Sequence, residues 1–240
     1  MQEWEYQPPP DIDESMAETL QNFPREPKML PYAIRSIAAL LLRSWMRVYH
    51  RLQIDGRENL PASGSFILVC NHTSHLDTLC MMCAVPLAKI HRTFPAAAAD
   101  YFFSSLPRSA ISAILINALP FNREAKGAES LAICGKLLEN KGNILIIFPE
   151  GTRTTTGKMG RFRSGIGRLV VGNDLAVLPC YLEGGLRAWP KGKVVPRPRK
   201  LRLSIGTAQT YGHLEKKSES VRTICRDLEE KVGSLGGKHE

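Results

Sequence analysis

The sequence predicts an α/β fold: a single domain with a mixed, largely parallel sheet flanked by helices, preceded by an N-terminal amphipathic helix. Three observations carry the prediction. Short apolar runs of strand length alternate with longer segments of helical periodicity from residue 65 to residue 233. Asn140-Lys141-Gly142-Asn143 and Gly172-Asn173-Asp174 are helix stops, each placed before such a run. The 240 residues, 43% hydrophobic and 23% charged, suffice for one substantial core and argue against general disorder.

Taken in order, residues 1–28 hold seven acids, two bases and Pro8-Pro9-Pro10, and read as a flexible acidic leader with a net charge of −5. Within residues 29–52, Leu30, Ile34, Ile37, Leu40, Leu41, Leu42, Trp45, Met46 and Val48 recur at helical spacing. Arg35, Arg43, Arg47 and Arg51 share one half of that helix. Two roles stay open for it: packing on the domain with a solvated basic face, or lying on an anionic membrane with Trp45 at the interface. Residues 53–240 form the domain. Strands are predicted at 65–70, 92–97, 118–122, 143–148, 175–182 and 200–207, and helices at 77–88, 100–116, 125–140, 163–172 and 215–233. Residues 190–200 form a basic, proline-punctuated loop.

With the acidic leader at −5 and a net charge of +9, residues 29–240 carry +14, which suits an anionic partner. Nucleic acid is disfavoured, because only 7% of residues are aromatic and none interleave with the bases as a stacking platform. No apolar run reaches 18 residues, and the acidic start is unlike a signal peptide. The six cysteines (70, 80, 83, 134, 180, 225) sit mostly in apolar runs and read as buried reduced thiols.

In such a sheet, active groups collect at the carboxyl ends of strands, and two motifs begin there. Asn71-His72-Thr73-Ser74-His75-Leu76-Asp77 follows the apolar run 66–70. Five positions of helix separate two side chains by about 140°, so His72 and Asp77 meet only if His72 precedes the helix and Asp77 lies in its first turn. Ser74 as N-cap and Asp77 at N3 would make that start. Asp77 would then fix the imidazole tautomer and raise the basicity of the other ring nitrogen; otherwise it simply caps the helix. A metal site built from His72, His75 and Asp77 lacks a fourth ligand, so none is expected. The second motif, Phe148-Pro149-Glu150-Gly151-Thr152-Arg153, offers a glycine turn and a guanidinium able to grip a phosphate. Glu150 could orient Arg153 or meet a substrate hydroxyl, or the two could be an ordinary surface pair. Together the motifs suggest deprotonation of a hydroxyl on a phosphate-bearing substrate.

Asn-His-x4-Asp and Phe-Pro-Glu-Gly-Thr-Arg resemble the first and third motifs of the glycerolipid acyltransferases, the lysophosphatidic acid acyltransferase-like superfamily. Leu119-Pro120-Phe121-Asn122-Arg123 resembles the second, and Val177-Leu178-Pro179-Cys180 the fourth, in the same order. The resemblance implies acyl transfer from a thioester, acyl-CoA or acyl-carrier protein as co-substrate with no bound cofactor, to a hydroxyl of a lysophosphatidate-like acceptor in phospholipid biosynthesis. It implies His72 as general base, Asp77 as its partner, Arg123 and Arg153 on the acceptor phosphate, and Glu150, Gly151 and Thr152 around the acceptor. The partners would be lysophospholipid, thioester donor and a membrane surface, with the enzyme peripheral or monotopic on its cytoplasmic face. Asn122 departs from the family's usual Asp, and residues 96–103 lack a Lys common there. Both departures leave room for another lysolipid or an amino-acid lipid as acceptor. A non-catalytic anionic-lipid-binding protein is the competing class. A covalent route through Cys70, Thr73 or Ser74 is not required by the chemistry.

Overall fold

The computed structural model describes residues 29–98, 117, 119–121 and 127–236. The leader 1–28, the predicted helix 100–116, and Asn122 and Arg123 lie outside them. Helix α1 spans Met29–Tyr49 and is followed by β1 (Gln53–Asp55), β2 (Phe66–Cys70) and α2 (Asp77–Ala84). Next come β3 (Thr93–Ala98), β4 (Leu119–Phe121), α3 (Gly127–Glu139), β5 (Ile144–Ile147) and α4 (Ser164–Val170). The chain closes with β6 (Ala176–Glu183), α5 (Gly185–Ala188), β7 (Arg202–Ile205) and α6 (Ser218–Gly236).

The strands form one mixed sheet in the order β1-β7-β6-β2-β5-β3-β4. Every neighbouring pair is parallel except β6 with β7. The central strands β2 and β5 are buried along their whole length, as expected where helices cover both faces. One core joins α1 and α2 to Phe66, Leu68, Ile144, Ile146 and Leu178. The other joins α3, α4 and α6 to Ile67, Val69, Leu145, Ile147 and Val177. Side chains alternating along each strand thus supply both layers.

The mixed, largely parallel α/β sheet agrees with the sequence, and the differences have local causes. Helix α2 stops at Ala84 rather than 88, because the residue before Pro86 is pushed to extended backbone (Val85 ψ 139°). A separate 3-10 turn then runs over Leu87–Arg92. Strand β1 and helix α5 are three and four residues long, too short for periodicity to register. Pro179 sits one residue before the β6–β7 ladder begins at Cys180, where a missing N–H costs least.

Helix α1 corrects the solvated basic face in part: Arg47 and Arg51 are exposed, but the other two arginines turn inward. Arg35 is buried, and Arg43 donates to the Val85 carbonyl. With Ala39 and Met46 they turn toward the body of the domain. The opposite side exposes Ile34, Ile37, Leu40, Leu41 and Val48. Trp45 packs against the core and stacks on Tyr49. No helix among the described residues is long and apolar enough to cross a membrane.

Candidate active site

Val69 of β2 pairs with Ile147 of β5, so the two motif-bearing turns leave adjacent strands at the same sheet edge. The chain after Cys70 is stitched to β6 by Asn71. Its Nδ2 donates to the Leu182 carbonyl at 3.1 Å and its Oδ1 accepts the Leu182 N–H at 2.7 Å. A side-chain amide thereby continues the ladder where the backbone of β2 turns away.

His72 Nδ1 lies 2.8 Å from Asp77 Oδ2. The same oxygen accepts the N–H groups of Thr73 (2.6 Å) and Ser74 (2.8 Å). Asp77 is wholly buried, and three donors on one oxygen make the carboxylate the organiser of the turn. Helix α2 begins at Asp77, with Leu76 in the cap position, so the residue opens the helix rather than occupying its third position. Ser74 lies outside the assigned helix yet makes the bonds of the expected cap: its hydroxyl accepts the Leu76 N–H and its own N–H meets Asp77, while the hydroxyl also donates to the Trp189 carbonyl. With Nδ1–H given to Asp77, the His72 lone pair sits on Nε2. The ring stacks on Phe148 at 4.3 Å between centroids and keeps 15% of its side chain exposed.

The second motif clamps the first. Glu150 Oε1 accepts the His72 N–H at 2.6 Å, and Oε2 accepts the Gly160 N–H at 2.7 Å. The His72 carbonyl accepts the Thr154 N–H at 2.8 Å. Glu150 is therefore a backbone bracket, and not the partner of Arg153 allowed for above. Burial pushes its carboxyl up from the ordinary glutamate range, opposed by these two N–H donors. Arg153 instead lies against the His75 ring, with Nη1 2.5 Å from Nδ1 and 2.6 Å from Nε2. Burial and then the Arg153 charge hold His75 below its ordinary range, so the ring is neutral and can accept. Gly151 has φ +72°, and a Cβ there would lie 2.7 Å from Arg163 Nε. Glycine suits the left-handed turn, and a Cβ would also have to displace the exposed Arg163 side chain. Thr152 is exposed beside it.

Sequence reasoning missed the third wall. Helix α5, at the carboxyl end of β6, rests on the His72–Asp77 turn. A Cβ on Gly185 would lie 2.7 Å from Thr73 Oγ1 and 3.1 Å from Asp77 Oδ1. The Trp189 carbonyl accepts the His75 N–H at 3.3 Å as well as the Ser74 hydroxyl. The available signal was the doublet Gly184-Gly185, one residue beyond the predicted strand 175–182. Cys70 is buried and its thiol is pushed well above the usual range, chiefly by desolvation. Ser74 is committed to two backbone groups. The His72 ring, partly exposed and with Nδ1 on Asp77, leaves Nε2 as a basic atom at the mouth of this turn, an arrangement suited to general-base activation of a hydroxyl.

A family model described as acyltransferase matches residues 51–183. The chain is 27% identical over 205 residues to the 1-acyl-sn-glycerol-3-phosphate acyltransferase of Bacillus subtilis, spanning 82% of this chain and 94% of that protein. It is 25% identical over 187 residues to the chloroplastic 1-acyl-sn-glycerol-3-phosphate acyltransferase LPAT1 of Arabidopsis thaliana, covering 77% of this chain but 49% of that protein's length. The fold matches the crystal structure of the 1-acyl-sn-glycerophosphate acyltransferase PlsC from Thermotoga maritima. The TM-score is 0.63 at 21% identity, over 94% of this chain and 84% of that one.

Proposed function

The chain belongs to the acyltransferase family, and from that premise we propose that it moves a fatty acyl group from acyl-CoA or acyl-carrier protein to the free hydroxyl of lysophosphatidate. The observation that carries the reading is the His72–Asp77 pair at 2.8 Å, with Nε2 left as the basic atom on a partly open ring. The names of the Bacillus subtilis and Arabidopsis thaliana relatives support lysophosphatidate as acceptor.

In this reading His72 Nε2 takes the acceptor's hydroxyl proton as its oxygen attacks the thioester carbonyl. The imidazolium is stabilised through Nδ1 by buried Asp77, and a positioned base of this kind contributes about 10²–10⁴ in rate. The tetrahedral intermediate collapses to the ester and expels the thiolate, which recovers the proton from His72. Atoms balance without an acyl-enzyme. Arg153, and Arg123 beyond the described residues, supply charge for the acceptor phosphate. Gly151 and Thr152 line the same turn, while Glu150 holds the His72 backbone in place. The exposed apolar strip of α1 supports a peripheral position on the membrane holding the acceptor, on the cytoplasmic face where thioester donors are available. The six free, buried cysteines accord with a reducing compartment.

The test is product analysis by mass spectrometry, with both thioester donors and a pool of lysolipids that do or do not bear a terminal phosphate. His72→Ala should lower turnover by about 10²–10⁴, and Arg153→Ala should mainly raise the KM for phosphate-bearing acceptors. Undiminished turnover in folded His72→Ala would remove the assigned base.

A further inference from the structure

Among the described residues the large exposed hydrophobic side chains fall in two places. Five form the strip on α1, and the other two are Val194 and Val195, 87% and 70% exposed at the tip of the loop between α5 and β7. The two adjacent valines leave apolar side chains uncovered on a loop tip among the described residues.

The loop is held firmly. Trp189 Nε1 donates to the Lys193 carbonyl at 2.7 Å, the Arg197 N–H to the Ala188 carbonyl at 2.8 Å, and Tyr49 Oη to the Pro196 carbonyl at 3.1 Å. The Leu201 N–H donates to the His50 carbonyl at 3.1 Å. Through Tyr49 and His50, the root of the loop is continuous with the carboxyl end of α1.

Charge selects the partner. Residues 27–54 and 184–214 contain none of the 23 acidic residues but twelve of the 32 Lys and Arg. Arg187, Lys191, Lys193, Arg197, Arg199 and Lys200 are all exposed, and their side chains make no hydrogen bond or ion pair among the described residues. Four of them, with Leu186, Pro190 and Val195, line a groove of about 210 Å³. Apolar tips flanked by unpaired cations match the boundary between acyl chains and anionic headgroups.

We propose that the 190–200 loop is a second membrane anchor, with the Val194–Val195 tip entering the bilayer and the surrounding cations binding the phosphates of anionic phospholipid. This rests on the acyltransferase reading and extends it. Because Trp189 is bonded to both Ser74 and His75, anchoring the loop sets the His72 mouth at the bilayer surface.

The test is sedimentation of the full chain with phosphatidylcholine vesicles, with or without phosphatidylglycerol, comparing wild type, Val194→Asp/Val195→Asp and Lys191→Ala/Lys193→Ala. Each cation near an anionic surface contributes about five-fold in partitioning. The lysine pair should therefore lower binding to phosphatidylglycerol vesicles by about 25-fold and leave phosphatidylcholine binding unchanged. The valine pair should weaken binding to both. Turnover of monomeric lysophosphatidate should match wild type in each variant, while turnover of vesicle-borne acceptor falls. Wild-type binding by both variants would overturn the proposal. So would a concentration-dependent dimer abolished by the valine pair without vesicle binding, which would assign the tip to a second copy. Sedimentation needs no turnover, so absence of acyl transfer would count against the proposed function and leave the anchor standing.

Discussion

Gly185→Ala isolates the contribution of α5 to the candidate site. The added Cβ would sit 2.7 Å from Thr73 Oγ1 and 3.1 Å from both Asp77 Oδ1 and Ser74 Cβ, whereas ordinary contact begins at 3.4 Å, so something must move by about 0.7 Å. The turn has little room to yield. Thr73 and Ser74 are tied to Asp77 Oδ2, and Ser74 Oγ is tied to Trp189. Overpacking of this kind costs about 1–3 kcal/mol, or roughly 2–12 °C in Tm for a chain of this size. Most of an ångström of displacement at a catalytic base lowers kcat by about 10–100-fold. The assay is kcat for thioester-dependent acylation of monomeric lysophosphatidate, alongside thermal unfolding. Gly165→Ala is the control, since its Cβ would meet only Leu131 Cδ2 and Cδ1, at 3.6 and 4.0 Å. A Gly185→Ala enzyme with both kcat and Tm unchanged would refute the idea that α5 fixes the turn.

Glu150→Gln replaces a double acceptor by an amide that must point its NH2 at either the His72 or the Gly160 N–H. Stability should fall by about 1.5–3 kcal/mol and kcat should fall with it; a denaturation midpoint equal to wild type would show the bracket is dispensable. Stability should also decline on mild acidification. His50, His75 and His91 are all held below their ordinary range, burial being the largest cause in each. A depressed histidine stays neutral in the fold while the unfolded chain binds protons from about pH 6.5 downward, so its stabilisation is present above that pH and lost below it. The urea midpoint should therefore drop between about pH 7.5 and 6, while Glu150, whose carboxyl is raised by burial, acts in the opposite direction. A flat midpoint across that window would contradict the assignment.

The parts of the fold legible in the sequence were those with a long or repeated signal. The apolar runs of β2, β5 and β6 announce buried strands, and the 72–77 spacing required a turn followed by a helix start. Other features depend on partners distant in sequence. Glu150 looks like half of an ion pair with Arg153 until Gly160 and His72 supply its real donors. The arginines of α1 look solvated until the Val85 carbonyl receives one of them and the domain buries another. Strand β1 exists only because β7 arrives beside it. The role of Gly185 is invisible without the turn it touches.

The pairing of β1 with β7 bears on how the chain is made. Gln53 of β1 sits against Arg202 of β7, and the His50 carbonyl takes the Leu201 N–H. At about 5–20 residues per second, a ribosome takes on the order of 7–30 s to travel from β1 to β7. Throughout that interval β1 has no strand to pair with, and α1 already carries its apolar face. Loop closure over so long a span also makes this the slow contact of the fold. The strand that follows α1 thus joins the sheet last.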